Sequence, residues 1–120
     1  MTYISVVGAT SWGTTLGVML AREGYEVSLC VRNIAEAKDL ESDGHKFLPN
    51  IEFPSTLDIA SSWVEALSHA DIVIIAVPST TVRENMRRIR RFLSDSQLLV
   101  SGTKGVEAGS GKRPSELISE

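Results

Sequence analysis

The stretch Ile4-Ser5-Val6-Val7-Gly8-Ala9-Thr10-Ser11-Trp12-Gly13 decides the fold. Ile4 to Val7 reads as a β-strand that ends at Gly8. Beyond it, Trp12, Leu16, Met19 and Leu20 fall at i, i+4, i+7 and i+8, one face of a helix. Gly24 stands where a left-handed residue closes such a helix. Gly8 permits the tight turn out of the strand, Gly13 lets the helix lie close to the sheet, and Gly17 extends that approach. Amides at a helix start have no internal acceptor and sit at the positive end of the dipole, so they suit a diphosphate. Thr10 stands where the dinucleotide fingerprint has its middle glycine, and its Cβ is expected to crowd a cofactor while its hydroxyl donates to a phosphate oxygen. The plain alternative is a strand-to-helix turn that merely needs two glycines.

Outward from this turn, short apolar runs alternate with amphipathic segments. Glu26 to Val31 is a second strand, and 34 to 40 is a short helical stretch broken at Asp43-Gly44. Pro49 and Pro54 make 45–54 irregular, and Thr56 to Ile59 is a short third strand. Ser62 with Glu65 is a capping box for the next helix, which runs through Leu67. Ile72 to Val77 does not alternate, so both its faces are expected to be covered, as in a central parallel strand. Thr81 with Glu84 is a further capping box, and Val82, Met86, Ile89 and Leu93 give that helix its buried stripe. Leu98 to Val100 is a fifth strand, followed by a glycine-rich loop from Gly102 to Gly111 and a helix opening near Pro114. The pattern predicts an α/β fold with a doubly wound parallel sheet. In the order 3-2-1-4-5, Leu98-Leu99-Val100 forms an open edge through which self-association is expected.

The chain has 120 residues, enough for one domain and a sizeable core, and is 42% hydrophobic and 22% charged. A net charge of −3 disfavours a nucleic-acid or anionic-membrane partner, which would need a basic surplus. One cysteine, Cys30, excludes an internal disulfide, and with His45 and His69 far apart no zinc pattern appears. No apolar run is long enough to span a bilayer and no secretory signal is visible, so a cytoplasmic domain is expected.

NAD-selective domains place an acid about 20 residues beyond the glycines to hold the ribose diol. Here Leu29-Cys30-Val31-Arg32-Asn33 carries no carboxylate, and Arg32, nineteen positions after Gly13, can pair with a 2′-phosphate. NADP is therefore favoured over NAD; a solvated arginine at a strand end is the alternative. Arg83, Arg87, Arg88, Arg90 and Arg91 form the densest charge cluster and read as a solvated helix face that complements the dipole. Cys30 reads as buried packing, and Asp71, Glu52, His45 and His69 receive no role.

With these residues in hand, the sequence resembles the N-terminal cofactor domain of bacterial NAD(P)-dependent glycerol-3-phosphate dehydrogenases, a Rossmann-type fold, from Ile4 to its last residue. Gly8-Ala9-Thr10-Ser11-Trp12-Gly13-Thr14 resembles the family's Gly-x-Gly-Ser-Trp-Gly-Thr, with Thr10 as the departure. Phe47-Leu48-Pro49, Ala76-Val77-Pro78-Ser79 and Ser101-Gly102-Thr103-Lys104-Gly105 follow in the family's order. The resemblance implies that Ser11 and Trp12 contact the cofactor beside its diphosphate, and that Gly8, Thr10, Gly13 and Pro78 border it. It implies that Arg32 and Asn33 take the adenosine ribose or its 2′-phosphate, that Phe47 lines the cleft, and that Lys104 touches the nicotinamide region and substrate. The implied reaction is reversible hydride transfer between NAD(P)H and dihydroxyacetone phosphate, giving sn-glycerol 3-phosphate for phospholipid synthesis by a homo-oligomer. The family's helical substrate domain and catalytic lysine are expected beyond residue 120, so the 1–120 chain is expected to bind cofactor without turning over substrate. Related hydroxyacid or sugar-nucleotide dehydrogenases, and a non-catalytic nucleotide-sensing module, stand as alternatives.

Overall fold

The computed structural model describes residues 2–31, 35–36, 38, 53–94 and 96–101. Its strands are β1 (Tyr3–Val7), β2 (Glu26–Cys30), β3 (Leu57–Ala60), β4 (Ile72–Ile75) and β5 (Leu98–Ser101). The helices are α1 (Ser11–Arg22), α2 (Trp63–Ser68) and α3 (Val82–Ile89), the last flanked by 3-10 turns at Ser79–Thr81 and Arg90–Phe92. The sheet order is β3-β2-β1-β4-β5 and every neighbouring pair is parallel. Chain order reverses between β1 and β4, which makes the carboxyl ends of those two strands the switch point of the sheet. The third strand lies one residue later than its pattern predicts. Thr56 stands at its entrance, its carbonyl accepting from Val27 N at 3.0 Å and its hydroxyl donating to Ala21 O at 2.9 Å, which ties the strand entrance to α1. The fourth strand ends at Ile75, although Ala76 still donates to Val7 O at 2.9 Å before the chain turns at Pro78.

Alternation along the strands divides the apolar residues between two cores. Val7, Cys30, Val73 and Ile75 pack with Leu67 of α2 and with Val82, Met86 and Ile89 of α3, the stripe that the sequence predicts. Ile4, Val6, Val27 and Leu29 face the other way, onto Val18 and Ala21 of α1. Leu29, Leu67, Ile75 and Ile89 are fully buried, each contributing roughly 1.5–3 kcal/mol. Cys30 is packing material, as its apolar strand suggests, and burial pushes its thiol from 9.0 up to about 12. The thiol is therefore protonated in the native state. The unfolded chain ionises it first, so stability falls as pH rises from about 9 toward about 12.

Hydrogen bonds close the ends of these layers. Asp71 accepts from Tyr3 N at 2.8 Å, and Gln97 Nε2 donates to Leu67 O and Ala70 O, tying the end of α2 to the entrance of β5. At the β5 end of the described sheet, Leu98 and Val100 are exposed. No helix among the described residues is long and apolar enough to cross a membrane.

Helix α1 departs from its sequence pattern. The face it buries is Gly13, Thr14, Gly17, Val18 and Ala21, whereas Trp12 and Met19 of the apolar stripe are 49% and 56% exposed. Small residues let the helix settle close onto the strands, and the larger side chains stay at its margin, where Leu20 packs on the core. Its C-terminus is a Schellman closure, with Gly24 N on Ala21 O, Tyr25 N on Leu20 O and Gly24 at φ 100°. Neither predicted capping box forms. Ser62 precedes α2 with its exposed hydroxyl making no cap bond, and Thr81 Oγ1 donates back to Pro78 O at 2.9 Å to close the 3-10 turn.

Gly13 and Gly17 differ in kind. A Cβ on Gly13 would collide with the Gly8 carbonyl oxygen, whereas one on Gly17 would meet Leu57 Cδ1 at 3.4 Å and Val27 Cγ1 at 3.7 Å, ordinary contact. Gly17 is thus less constrained than its motif position suggests. Gly13→Ala is expected to cost about 2 kcal/mol or more in urea denaturation. Gly17→Ala is expected to gain about 0.5–1 kcal/mol. Equal effects of the two would contradict this assignment.

Candidate functional site

The turn between β1 and α1 is built by contacts that only its own residues allow. Gly8 adopts φ 115° and donates to Cys30 O at 3.2 Å, and a Cβ there would stand 2.9 Å from Ala76 O. Thr10 is the N-cap of α1, with φ −72° and ψ 170°. Its Oγ1 accepts from Gly13 N at 3.0 Å and donates to Ala76 O at 2.9 Å. The hydroxyl expected to donate to a phosphate therefore has its proton on the end of β4, and the Gly13 amide has its acceptor inside the protein. Thr14 N is used as well, on Thr10 O at 2.9 Å. The amides of Ser11 and Trp12 open the helix and have no intrahelical acceptor. No acid lies in the first turn of α1, so nothing on the helix neutralises the positive end of its dipole.

A cleft of about 420 Å³ opens here, across the carboxyl ends of the strands. Its lining includes Ala9 and Thr10 of the turn, Val77 and Pro78 after β4, Trp63 and Arg88, and the carboxylates Glu36 and Glu84. A larger hollow of about 660 Å³ lies over β1–β3, away from the β1–β4 switch point, and runs from Tyr3 and Glu26 at the amino ends of β1 and β2 to Ala60, Ser61 and Ser62 at the end of β3. Ligands of open α/β sheets bind outside the carboxyl ends, at the switch point, so the smaller cleft is the candidate site. A diphosphate fits here because the Ser11 and Trp12 amides open α1 directly after Thr10, which lines the cleft, with no acid in the first turn of the helix. Among the described residues no group of three His, Cys, Asp or Glu stands close enough to hold a metal ion.

Of the residues expected to bind cofactor, Thr10 and Pro78 line this cleft, while Gly8, Ser11, Trp12 and Gly13 lie beside Thr10 in the same turn and are not among its lining. Arg32, Asn33, Phe47 and Lys104 lie outside the described residues, as do His45, Glu52, the loop from Gly102 and Pro114. Two residues that sequence reading gave no role also reach the cleft. Trp63 follows β3, yet its buried Nε1 donates to Val31 O at 2.7 Å, at the end of β2. Arg88 leaves the solvated face shared by Arg87, Arg90 and Arg91, its Cζ standing 4.2 Å from the centroid of the Trp63 ring. Neither was legible in the sequence, since no local spacing links a residue after β3 to the end of β2.

Comparison with known proteins adds a family. The family model described as NAD-dependent glycerol-3-phosphate dehydrogenase N-terminus matches residues 3–120. This chain belongs to that family. It is 45% identical over 119 residues to glycerol-3-phosphate dehydrogenase [NAD(P)+] of Prosthecochloris aestuarii, covering 98% of this chain and 36% of the relative. It is 42% identical to the Chlorobium limicola protein of the same name, again covering 98% and 36%. The crystal structure of glycerol-3-phosphate dehydrogenase from Coxiella burnetii superposes with a TM-score of 0.88 at 30% identity, over 98% of this chain and 37% of that one. The chain thus spans about a third of the length of the relatives it matches.

Within this family's fold, the Thr10 cap carries a testable energy. Thr10→Val removes the acceptor of the Gly13 amide and is expected to cost about 1–2 kcal/mol, read from the urea midpoint. Thr10→Ser retains the hydroxyl and is expected to stay within about 0.5 kcal/mol of the parent chain. A Thr10→Val chain as stable as the parent would show that the clamp carries no weight.

Proposed function

We propose that this chain is the dinucleotide-holding part of an NAD(P)H-dependent enzyme that interconverts dihydroxyacetone phosphate and sn-glycerol 3-phosphate. The observation that carries the reading is the α1 start, with its Ser11 and Trp12 amides and no acid in the first turn, next to Thr10, which lines the cleft at the switch point. Those two amides hold the diphosphate, while Gly8 and Gly13 keep the backbone close enough for them to do so. Pro78 lines the same cleft. Arg32 and Asn33 take the adenosine ribose, with Arg32 favouring a 2′-phosphate and hence NADP. Phe47 lines the cleft. Lys104 stands by the nicotinamide region, where an ammonium orients a phosphate monoester and steadies a developing alkoxide. The dinucleotide, when bound, supplies or accepts the hydride. Turnover draws on groups in the other two-thirds of the enzyme, which works as a homo-oligomer in the cytoplasm and feeds phospholipid synthesis.

Calorimetric titration of the chain with NADPH and NADH separately tests this reading. Both are expected to bind, NADPH more tightly by about 1–2 kcal/mol, the scale of one charge-assisted contact. Equal affinities would remove the NADP preference, and binding of neither would overturn the reading. Dihydroxyacetone-phosphate-dependent NADPH oxidation by the 120-residue chain alone would contradict the placement of turnover elsewhere.

A further inference from the structure

Thr10 Oγ1 stands where the start of α1 meets the end of β4. It accepts from Gly13 N, the third amide of the helix, at 3.0 Å and donates to Ala76 O at 2.9 Å. It also lies 3.2 Å from the place a Cβ on Gly13 would take, so the hydroxyl covers Gly13, and the residue that carries it lines the cleft. A threonine hydroxyl has one proton, here committed to Ala76 O, so lone pairs and a methyl group are all this side chain offers a ligand. A phosphate oxygen needs a donor and finds none on it. The Gly13 amide is one of the donors that a helix start leaves without an internal acceptor, and a neutral oxygen now occupies it. Charge-assisted hydrogen bonds are roughly twice as strong as neutral ones, so a phosphate would be the stronger partner for that amide. The main chain holds the turn without help from the side chain. Thr14 N donates to Thr10 O at 2.9 Å, Gly8 N donates to Cys30 O at 3.2 Å, and Gly13 rests on the Gly8 carbonyl. The Thr10 backbone, at φ −72° and ψ 170°, is equally open to glycine.

We propose that Thr10 limits the affinity of this chain for its dinucleotide, its hydroxyl standing in for a phosphate oxygen at the Gly13 amide, an inference that rests on the dinucleotide reading above. The diphosphate is thereby confined to the Ser11 and Trp12 amides, and Thr10 borders it without donating to it. Because the same hydroxyl ties α1 to β4, stability and cofactor affinity move in opposite directions when Thr10 becomes glycine. A merely structural role would move them together.

Calorimetric titration with NADH, paired with urea denaturation, tests this on the parent chain, Thr10→Gly, Thr10→Val and Thr10→Ser. Thr10→Gly is expected to bind NADH about tenfold more tightly, the scale of one charge-assisted hydrogen bond gained, while its urea midpoint falls. Thr10→Val keeps the bulk over Gly13 without the hydroxyl, so its midpoint is expected to fall with no gain in affinity. Thr10→Ser restores the bridge and is expected to return affinity to within about twofold of the parent. An NADH affinity of Thr10→Gly equal to or weaker than that of the parent overturns the proposal, as does an equal gain in Thr10→Val. Failure of all four chains to bind either dinucleotide overturns the dinucleotide reading and this limit with it. Binding by the parent with no gain in Thr10→Gly overturns the limit alone.

Discussion

The close contact between α1 and the sheet at Gly8 and Gly13 is the constraint on which the rest of the site depends. Gly13 lies against the Gly8 carbonyl so tightly that no side-chain carbon fits between them. Gly8 is itself pressed on the backbone of Ala76, so the ends of β1 and β4 and the start of α1 meet at one point. That point is where the strand order reverses. The crevice, the helix dipole and the unshared amides of the first turn coincide there because the backbone approaches so closely. Larger residues at these two positions would hold the helix off the sheet and displace the amides.

Thr10 shows how this chain adapts the turn without a middle glycine. Its side chain joins α1 to β4 through two hydrogen bonds, satisfying the Gly13 amide and the Ala76 carbonyl together. The clamp fixes the geometry of the turn and reduces the number of amides left for an anion. Stability and ligand capacity are therefore set by the same hydroxyl. Thr14, on the face beneath, is the converse case. Its buried Oγ1 has no hydrogen-bond partner among the described residues, whereas the neighbouring Thr15 hydroxyl donates to Ser11 O at 2.7 Å.

Strand order, parallel pairing and the stripe of α3 were legible because they rest on periodicity and on the rules of crossover connections. The buried face of α1 was not. Periodicity marks the largest apolar residues, while a helix that must approach a sheet closely buries its smallest, and so Trp12 and Met19 stand outside Val18 and Ala21. The Thr10 bond to Ala76 was hidden for a different reason, since its partner lies 66 positions away. Trp63 and Arg88 become neighbours only once β3 and β4 flank the central pair on opposite sides. The family, by contrast, was legible from short ordered blocks such as Ser11-Trp12-Gly13-Thr14, whose chemistry is local.

The central claim is that the first-turn amides of α1 face the bound dinucleotide. Amide-resolved NMR of the isotope-labelled chain during NADPH addition measures it directly. The account predicts saturable shifts at Ser11 and Trp12, with residues of the larger hollow over β1–β3, such as Ser28, Asp58 and Glu65, unmoved. Shifts confined to that hollow, with the Ser11 and Trp12 amides silent at saturation, would contradict it.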